Sequence, residues 1–272
     1  MFVYSAFDAS DTIPRFHAEA LFSAFSLRKV TDKPIRLVSN SPHIADQFSE
    51  LAWNPFSTIG SLVDRFSHPK RQKLHAIATQ TGPGFCYLDT DTVILADISR
   101  VFEMGELDIA GAAAPWREDI ETIEIAVRRE WKRAWQLNSG VLFFRRKNVG
   151  PLIDAWISDF ESRLPEYAGQ PDKIRDQVSF QKACVELKPD MFKLPNNYNF
   201  RTPMGGYLSG ACFVLHGHLK LGLERLYNKF NQPDFLDERL KQLRVINHSM
   251  LGRVISSVYS NHEVTEKTFR RH

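Results

Sequence analysis

Two carboxylates stand one residue apart in Phe85-Cys86-Tyr87-Leu88-Asp89-Thr90-Asp91-Thr92-Val93-Ile94-Leu95, with apolar residues on both sides. An ionised carboxylate inside a core is costly unless it is paired. Asp89 and Asp91 are therefore expected either where a strand ends at a crevice or where they hold something positive. On an extended chain both acids point one way while Leu88 and Thr90 point the other. Two hard oxygen donors at the carboxyl end of a strand suit a divalent cation and the phosphates it carries.

Polar residues meet apolar runs at two further places. Asn138-Ser139-Gly140 precedes Val141-Leu142-Phe143-Phe144, and His216 follows Ala211-Cys212-Phe213-Val214-Leu215. Ligands of open α/β sheets sit outside the carboxyl ends of the strands, so these clusters are expected to share one crevice. Two carboxylates with an imidazole form a mixed oxygen and nitrogen set, which favours Mn²⁺ or Mg²⁺ over a metal that prefers thiolate.

The elements that must position these groups are legible in outline. Phe2-Val3-Tyr4-Ser5 is a short strand, followed by turn residues and a helix over 15–29 with apolar residues at helical spacing. Ile35–Ser39 reads as a buried strand, and a helix is expected after Pro42, since proline suits a helix start. This β-α-β-α order is the pattern of a parallel sheet. A helix over 68–80 delivers the chain into the strand that bears the acids. Beyond it come a short helix over 97–104 and a strand over 107–114. The charged, aromatic stretch 115–135 reads as an amphipathic helix, either laid on the domain or acting as a mobile lid or acceptor loop. By its own residues Asn138–Gly140 reads as a turn. Helices are expected over 149–164 and 174–187, strands over 192–195 and 211–215, and a basic helical pattern from Leu219 onward.

Composition narrows the function classes. The chain of 272 residues is long enough to bury a full core, and its 43% hydrophobic and 25% charged content is that of a soluble globular protein. No apolar stretch is long enough to span a bilayer, and the start lacks the charged-then-apolar build of a signal peptide, so a cytoplasmic location is expected. Cys86, Cys184 and Cys212 are odd in number and widely spaced, as buried free thiols of a reducing compartment would be. A formal net charge of +3 is too mild to imply nucleic acid, and suits an anionic substrate or loose attachment to a membrane surface. The basic residues Arg239, Lys241, Arg244, Arg253, Lys267, Arg270 and Arg271 are either a solvated face or a peripheral contact to anionic lipid.

Lys73-Leu74-His75 upstream of Tyr87-Leu88-Asp89-Thr90-Asp91-Thr92-Val93-Ile94-Leu95 resembles the nucleotide-sugar glycosyltransferases of the GT-A fold. Among these the sequence is most similar to the retaining glycosyltransferase family 8, the group of glycogenin and the bacterial lipopolysaccharide galactosyl- and glucosyltransferases. Leu137-Asn138-Ser139-Gly140-Val141, Asp176-Gln177, Leu194-Pro195 with Tyr198-Asn199, and His216 with Lys220 resemble further elements of that family in the same order. The resemblance runs over roughly 1–225.

The resemblance implies an α/β protein with a single Rossmann-like GT-A domain over 1–225, its mostly parallel central sheet flanked by helices. A helical, basic extension over 226–272 would pack on the same domain. It implies a hexosyltransferase that uses a nucleoside-diphosphate sugar, a UDP-sugar above all, and a glycan, glycolipid or protein acceptor. Asp89, Asp91 and His216 would hold Mn²⁺ or Mg²⁺ on the donor diphosphate. Lys220 would hold a phosphate, and Lys73 would reach the donor sugar or diphosphate. Asn138, with Ser139, would meet sugar hydroxyls while Gly140 lets the backbone approach. Asp176 and Gln177 would lie under the sugar ring, and Asp8 would accept from the nucleotide base. The family's late motif usually reads His-x-x-Gly-x-x-Lys-Pro-Trp, and here Lys220 is followed by Leu221-Gly222, so His218 stands as an alternative ligand.

Asp89-x-Asp91-x-Val93 also resembles the opening motif of haloacid-dehalogenase-like phosphatases, whose first Asp is a phosphorylated nucleophile working with Mg²⁺. That reading places the strand near the start of its domain and requires a later acidic pair on another strand, and no Asp-Asp or Gly-Asp-x-x-x-Asp follows in the chain. A catalytically inactive glycan- or nucleotide-binding relative is the other alternative.

Overall fold

A computed structural model of the protein describes residues 1–8, 15–61, 68–80, 84–105, 107–114, 137–170, 173–202, 208, 210–217, 229 and 232–249. The acid-bearing strand β4 (Phe85–Leu88) lies at the centre of a seven-stranded sheet. On one side it is parallel to β1 (Phe2–Ala6), which continues to β2 (Ile35–Ser39) and β3 (Thr58–Ser61), all parallel. On the other side β7 (Leu137–Phe144) runs antiparallel to β4, followed by β6 (Ile109–Ala113) and β8 (Met191–Leu194). The order is β3-β2-β1-β4-β7-β6-β8.

Every residue of β1, β4 and β7 is buried, which is why Phe2–Tyr4, Phe85–Leu88 and 141–144 are continuously apolar rather than alternating. Alternation instead sorts them between two cores. Phe2, Tyr4, Cys86 and Leu88 pack against α1 (Arg15–Arg28) and α2 (Pro42–Ser49) through Leu21, Ala24, Ile44 and Phe48. Val3, Phe85 and Tyr87 face the other way, onto α3 (Pro69–Ala78), α4 (Arg146–Arg163) and α5 (Asp176–Leu187) through Leu74, Ile77, Trp156 and Phe180. The start of α2 has Pro42 in its first turn, with the Ser41 side chain accepting from the Ile44 N–H.

The run 85–95 is two strands rather than one. It leaves the large sheet after Leu88, turns through Asp89-Thr90-Asp91, and enters β5 (Thr92–Ile94) of a second sheet of order β5-β10-β9. There β5 is antiparallel to β10 (Val214–His216), which is parallel to β9 (Phe200–Arg201). A third core joins this sheet to α1 and to α6 (Pro233–Ser249) through Phe22, Phe25, Leu215, Leu236 and Leu240.

Several boundaries depart from the sequence-based expectation. Asn138–Gly140 lies inside β7 rather than in a turn, in the stretch where the register with β6 shifts, between the Leu137–Ala113 and Leu142–Gly111 pairs. β3 escaped notice because it lacks an apolar run and is not buried, and β9 because it has only two residues. The expected helix over 97–104 is a 3-10 turn, Ser99–Glu103. The stretch 115–135 lies outside the described residues, as does most of the expected helical pattern before Pro233. All three cysteines are buried free thiols, and burial pushes the Cys212 thiol up to about 12. Among the described residues no helix is long and apolar enough to cross a membrane.

Candidate active site

The exit of β4 from the sheet puts Asp89 and Asp91 in a turn at the carboxyl end of the parallel strands. Two hydroxyl contacts brace this turn. Thr92 Oγ1 donates to the Asp89 carbonyl at 2.8 Å, and Thr90 Oγ1 donates to the buried Glu19 carboxylate at 3.2 Å. Because β7 is antiparallel to β4, its amino end lies beside the carboxyl end of β4. The Asp89 N–H donates to the Gly140 carbonyl at 2.7 Å, so Asn138-Ser139-Gly140 reaches the crevice from within a strand.

β10 supplies the third group. His216 pairs with Thr92 across the small sheet, and the Gly217 N–H donates to the Asp91 carbonyl at 3.0 Å. These contacts set His216 Nε2 at 3.3 Å from Asp91 Oδ1 and 3.6 Å from Asp89 Oδ2. One donor atom from each of Asp89, Asp91 and His216 lies within 4.8 Å of the others. The donors fit a hard or borderline divalent cation, with two carboxylate oxygens and one imidazole nitrogen. Gly140 makes room for them: a Cβ there would collide with His216 Cε1 and Asp89 Oδ2.

Beside this trio lies a buried ionic cluster. Lys73, on α3, has its Nζ at 3.0 Å from Asp89 Oδ1 and 2.9 Å from Asp176 Oδ2. The ammonium also donates to Ser139 Oγ at 3.3 Å, and it sits 5.0 Å from the Tyr87 ring centroid. Ser139 Oγ in turn donates to Asp176 Oδ2 at 3.0 Å. Asp176 opens α5, where the helix dipole favours an anion, and its carbonyl accepts from the indole N–H of Trp156. Burial alone would raise the Asp176 carboxyl, but the Lys73 and Lys70 ammoniums and the hydrogen bonds outweigh it and hold the group at about 2. Burial likewise works against the Lys73 charge, and the two carboxylates overcome it and raise the group. Asp176 is thus ionised and Lys73 protonated throughout the neutral range. Lys73 bridges Asp89 and Asp176, Lys70 adds to the positive field at Asp176, and the oxygens of Asp89 and Asp91 beside His216 suit a divalent cation.

The other expected residues take different places. Gln177 has both ends of its amide on β7: Nε2 donates to the Leu137 carbonyl and Oε1 accepts from the Ser139 N–H, each at 2.8 Å. It clamps the start of that strand. Asn138 Oδ1 accepts from the Gly140 N–H at 3.0 Å and from Asn199 Nδ2 at 2.9 Å. Asp8 stands apart, with its oxygens accepting the Phe16 and His17 backbone N–H groups while Oδ2 lies 2.6 Å from His17 Nδ1. Lys220 and His218 lie outside the described residues. Arg71, the neighbouring cation on α3, turns away to Glu161 at 2.6 Å.

Sequence reasoning missed Glu19 and Asn199. Glu19 is an acid in a helical run buried on all sides, and an acid inside an apolar stripe is a signal that sequence carries. Asn199 was visible only as part of the Leu194-Pro195 to Tyr198-Asn199 element, with no role attached.

No protein-family model matches the sequence, and no curated protein does. Solved structures do match by fold. The galactosyltransferase LgtC, solved in complex with donor and acceptor sugar analogs, is 13% identical, with 84% of this chain and 94% of that one covered at a TM-score of 0.57. Mouse xyloside xylosyltransferase 1 is 14% identical, with 80% and 97% covered at 0.54. The glycosyltransferase GlyE of Streptococcus pneumoniae TIGR4 is 15% identical at 0.53, and the match covers 89% of this chain but 64% of GlyE. At these identities the likeness establishes the architecture. The chain has the mixed α/β GT-A fold that these glycosyltransferases share.

Proposed function

We propose that the protein is a metal-dependent glycosyltransferase that moves a hexose from a nucleoside-diphosphate sugar, a UDP-hexose, to a glycan, glycolipid or protein acceptor with retention of configuration. One observation carries the reading. Asp89, Asp91 and His216 converge within 4.8 Å, beside the buried Lys73–Asp176 pair, at the carboxyl end of the parallel strands of this fold. That LgtC is described with donor and acceptor sugar analogs supports the kind of partner.

Asp89, Asp91 and His216 would hold Mn²⁺ or Mg²⁺. Such an ion, when bound, supplies Lewis-acid neutralisation of the charge on a departing nucleoside diphosphate, worth several kcal/mol. The chain's own residues do the rest. Lys73 offsets the repulsion between the Asp89 and Asp176 carboxylates and holds both in place. Asp176, ionised and nearly dry, stands ready to stabilise positive charge that develops at a sugar's anomeric carbon. Asn138 has its oxygen engaged within the site, so it meets a sugar hydroxyl through its amide N–H groups. Lys220 would add a phosphate contact, and Asp8 a contact to the base only by giving up part of its grip on α1.

Calorimetric titration with UDP in the presence and absence of Mn²⁺ tests the reading. Binding of UDP that requires Mn²⁺ is expected, and Asp91→Asn should abolish both that binding and Mn²⁺-dependent turnover of a UDP-sugar while leaving the unfolding transition unchanged. UDP binding indifferent to metal, or unchanged turnover by Asp91→Asn, would reject it. A panel of UDP-, GDP- and TDP-sugars then names the donor.

A further inference from the structure

We infer that Asn199 is a positioning residue that fixes the tautomer of His216, so that the Nε2 lone pair is presented between Asp89 and Asp91. The inference deepens the metal-centre reading above and rests on it for its consequence, though not for its geometry.

The hydrogen bonds form a chain whose direction cannot reverse. It starts at the Gly140 backbone N–H, which can only donate. The Asn138 atom 3.0 Å away must therefore be the side-chain oxygen. The same oxygen lies 2.9 Å from the Asn199 amide, so the atom facing it must be the Asn199 nitrogen. That leaves the Asn199 oxygen toward His216, 2.7 Å from Nδ1. An amide oxygen has no proton to give, so Nδ1 must carry one. A neutral imidazole has a single N–H, and Nε2 is then bare.

Burial makes the chain decisive. Asn138, Asn199 and His216 are 4%, 3% and 3% exposed, so water is poorly placed to replace any link. The opposite tautomer would set the Nδ1 lone pair against the Asn199 oxygen, and would aim a proton at the position where a cation must sit. Asn199 is held independently of the site. It follows the 3-10 turn Asn196–Tyr198 and leads into β9, where Arg201 pairs with His216 on β10. The turn is pinned by the Phe213 N–H on the Asn197 carbonyl at 2.7 Å and by the edge-on contact of Tyr198 with Phe213. A small parallel pairing thus carries the orientation of the amide to the imidazole. Partners of this kind raise the affinity of a metal site because they fix ring orientation and protonation before the ion arrives.

Two measurements test the inference. The first is ¹⁵N spectroscopy of the wild-type imidazoles in metal-free protein, read on the alkaline plateau where the His216 shifts no longer change with pH. His216 should show a protonated Nδ1 and an unprotonated Nε2, and a protonated Nε2 overturns the inference. The second compares Mn²⁺ affinity, by paramagnetic resonance of the free ion, among wild type, Asn199→Leu and Asn199→Asp. Asn199→Leu should mix the tautomers and weaken Mn²⁺ binding about 10- to 100-fold. Asn199→Asp keeps an acceptor at Nδ1 but sets a carboxylate oxygen against Asn138 Oδ1, so it should hold the tautomer and recover part of the loss. Wild-type affinity and an unchanged tautomer in Asn199→Leu would also overturn the inference. If the wild type binds no Mn²⁺, the metal-centre reading fails, and the spectrum still decides the role of Asn199. It decides equally if Asn199→Leu does not fold.

Discussion

The Lys73 ammonium lies 2.9 Å from Asp176 Oδ2, with the two side chains only 7% and 12% exposed. A pair this dry is held by mutual need: Lys73 is the larger of the two positive charges that compensate the buried Asp176 carboxylate, ahead of Lys70. Lys73→Met should therefore destabilise the fold by about 3–5 kcal/mol, since it removes the main counter-charge of the buried Asp176 carboxylate and the partner of Asp89. The double variant Lys73→Met/Asp176→Leu should regain much of that loss, because packed apolar side chains replace a buried pair at little cost. Denaturant unfolding of the set checks this. A loss below about 1 kcal/mol in Lys73→Met would mean that solvent screens the pair.

Acid should find the same pair. Asp176 titrates at about 2 in the folded protein against an ordinary 3.8, so its folded carboxyl is depressed. Its contribution is complete above the ordinary value and is lost as pH falls through about 2. A shift of this size corresponds to a contribution on the order of 2 kcal/mol. Lys73 is shifted upward, so the pair also weakens in alkali, beyond the ordinary lysine value of 10.5. Urea unfolding of metal-free protein from pH 5 to pH 2 should show a falling stability whose slope shrinks in Asp176→Asn. Identical slopes would show that Asp176 is not held ionised by the fold.

Gly140 is expected to tolerate no side chain. A Cβ there would overlap His216 Cε1 and Asp89 Oδ2, and both of those residues are candidate metal ligands. Gly140→Ala should lower Mn²⁺ affinity at least tenfold, while Gly169→Ala, which opens into free space, should leave it unchanged. Equal affinities for the two variants would show that the crevice can widen without disturbing the ligands.

Much of this site was legible because strand ends announce themselves in one dimension. Acids abutting the apolar run Phe85–Leu88, and a histidine ending Val214–His216, place polar groups where burial must stop. Parallel strands buried on both faces read as apolar runs, so β1, β2 and β4 were placed within a residue or two, and the parallel order followed from helices lying between them. The same logic failed for Asn138–Gly140. Three small or polar residues read as a turn when nothing reveals that they lie within an antiparallel strand, at the point where its register with β6 shifts.

By itself, then, the sequence determined an α/β chain with a crevice at the ends of its buried strands, and two acids and an imidazole as the groups that could meet there. Only tertiary structure decided how they meet. The chain leaves one sheet at Leu88 and joins another at Thr92, which turns Asp89 and Asp91 toward β10, and the antiparallel sense of β7 brings Ser139 and Gly140 to the same place. It also buried Lys73 between two carboxylates, although a lysine on a helix reads as a solvated one. The reason is physical. Hydrophobic periodicity reports which side of an element is buried, whereas pairing of a charge or a hydrogen bond depends on which distant element supplies the partner.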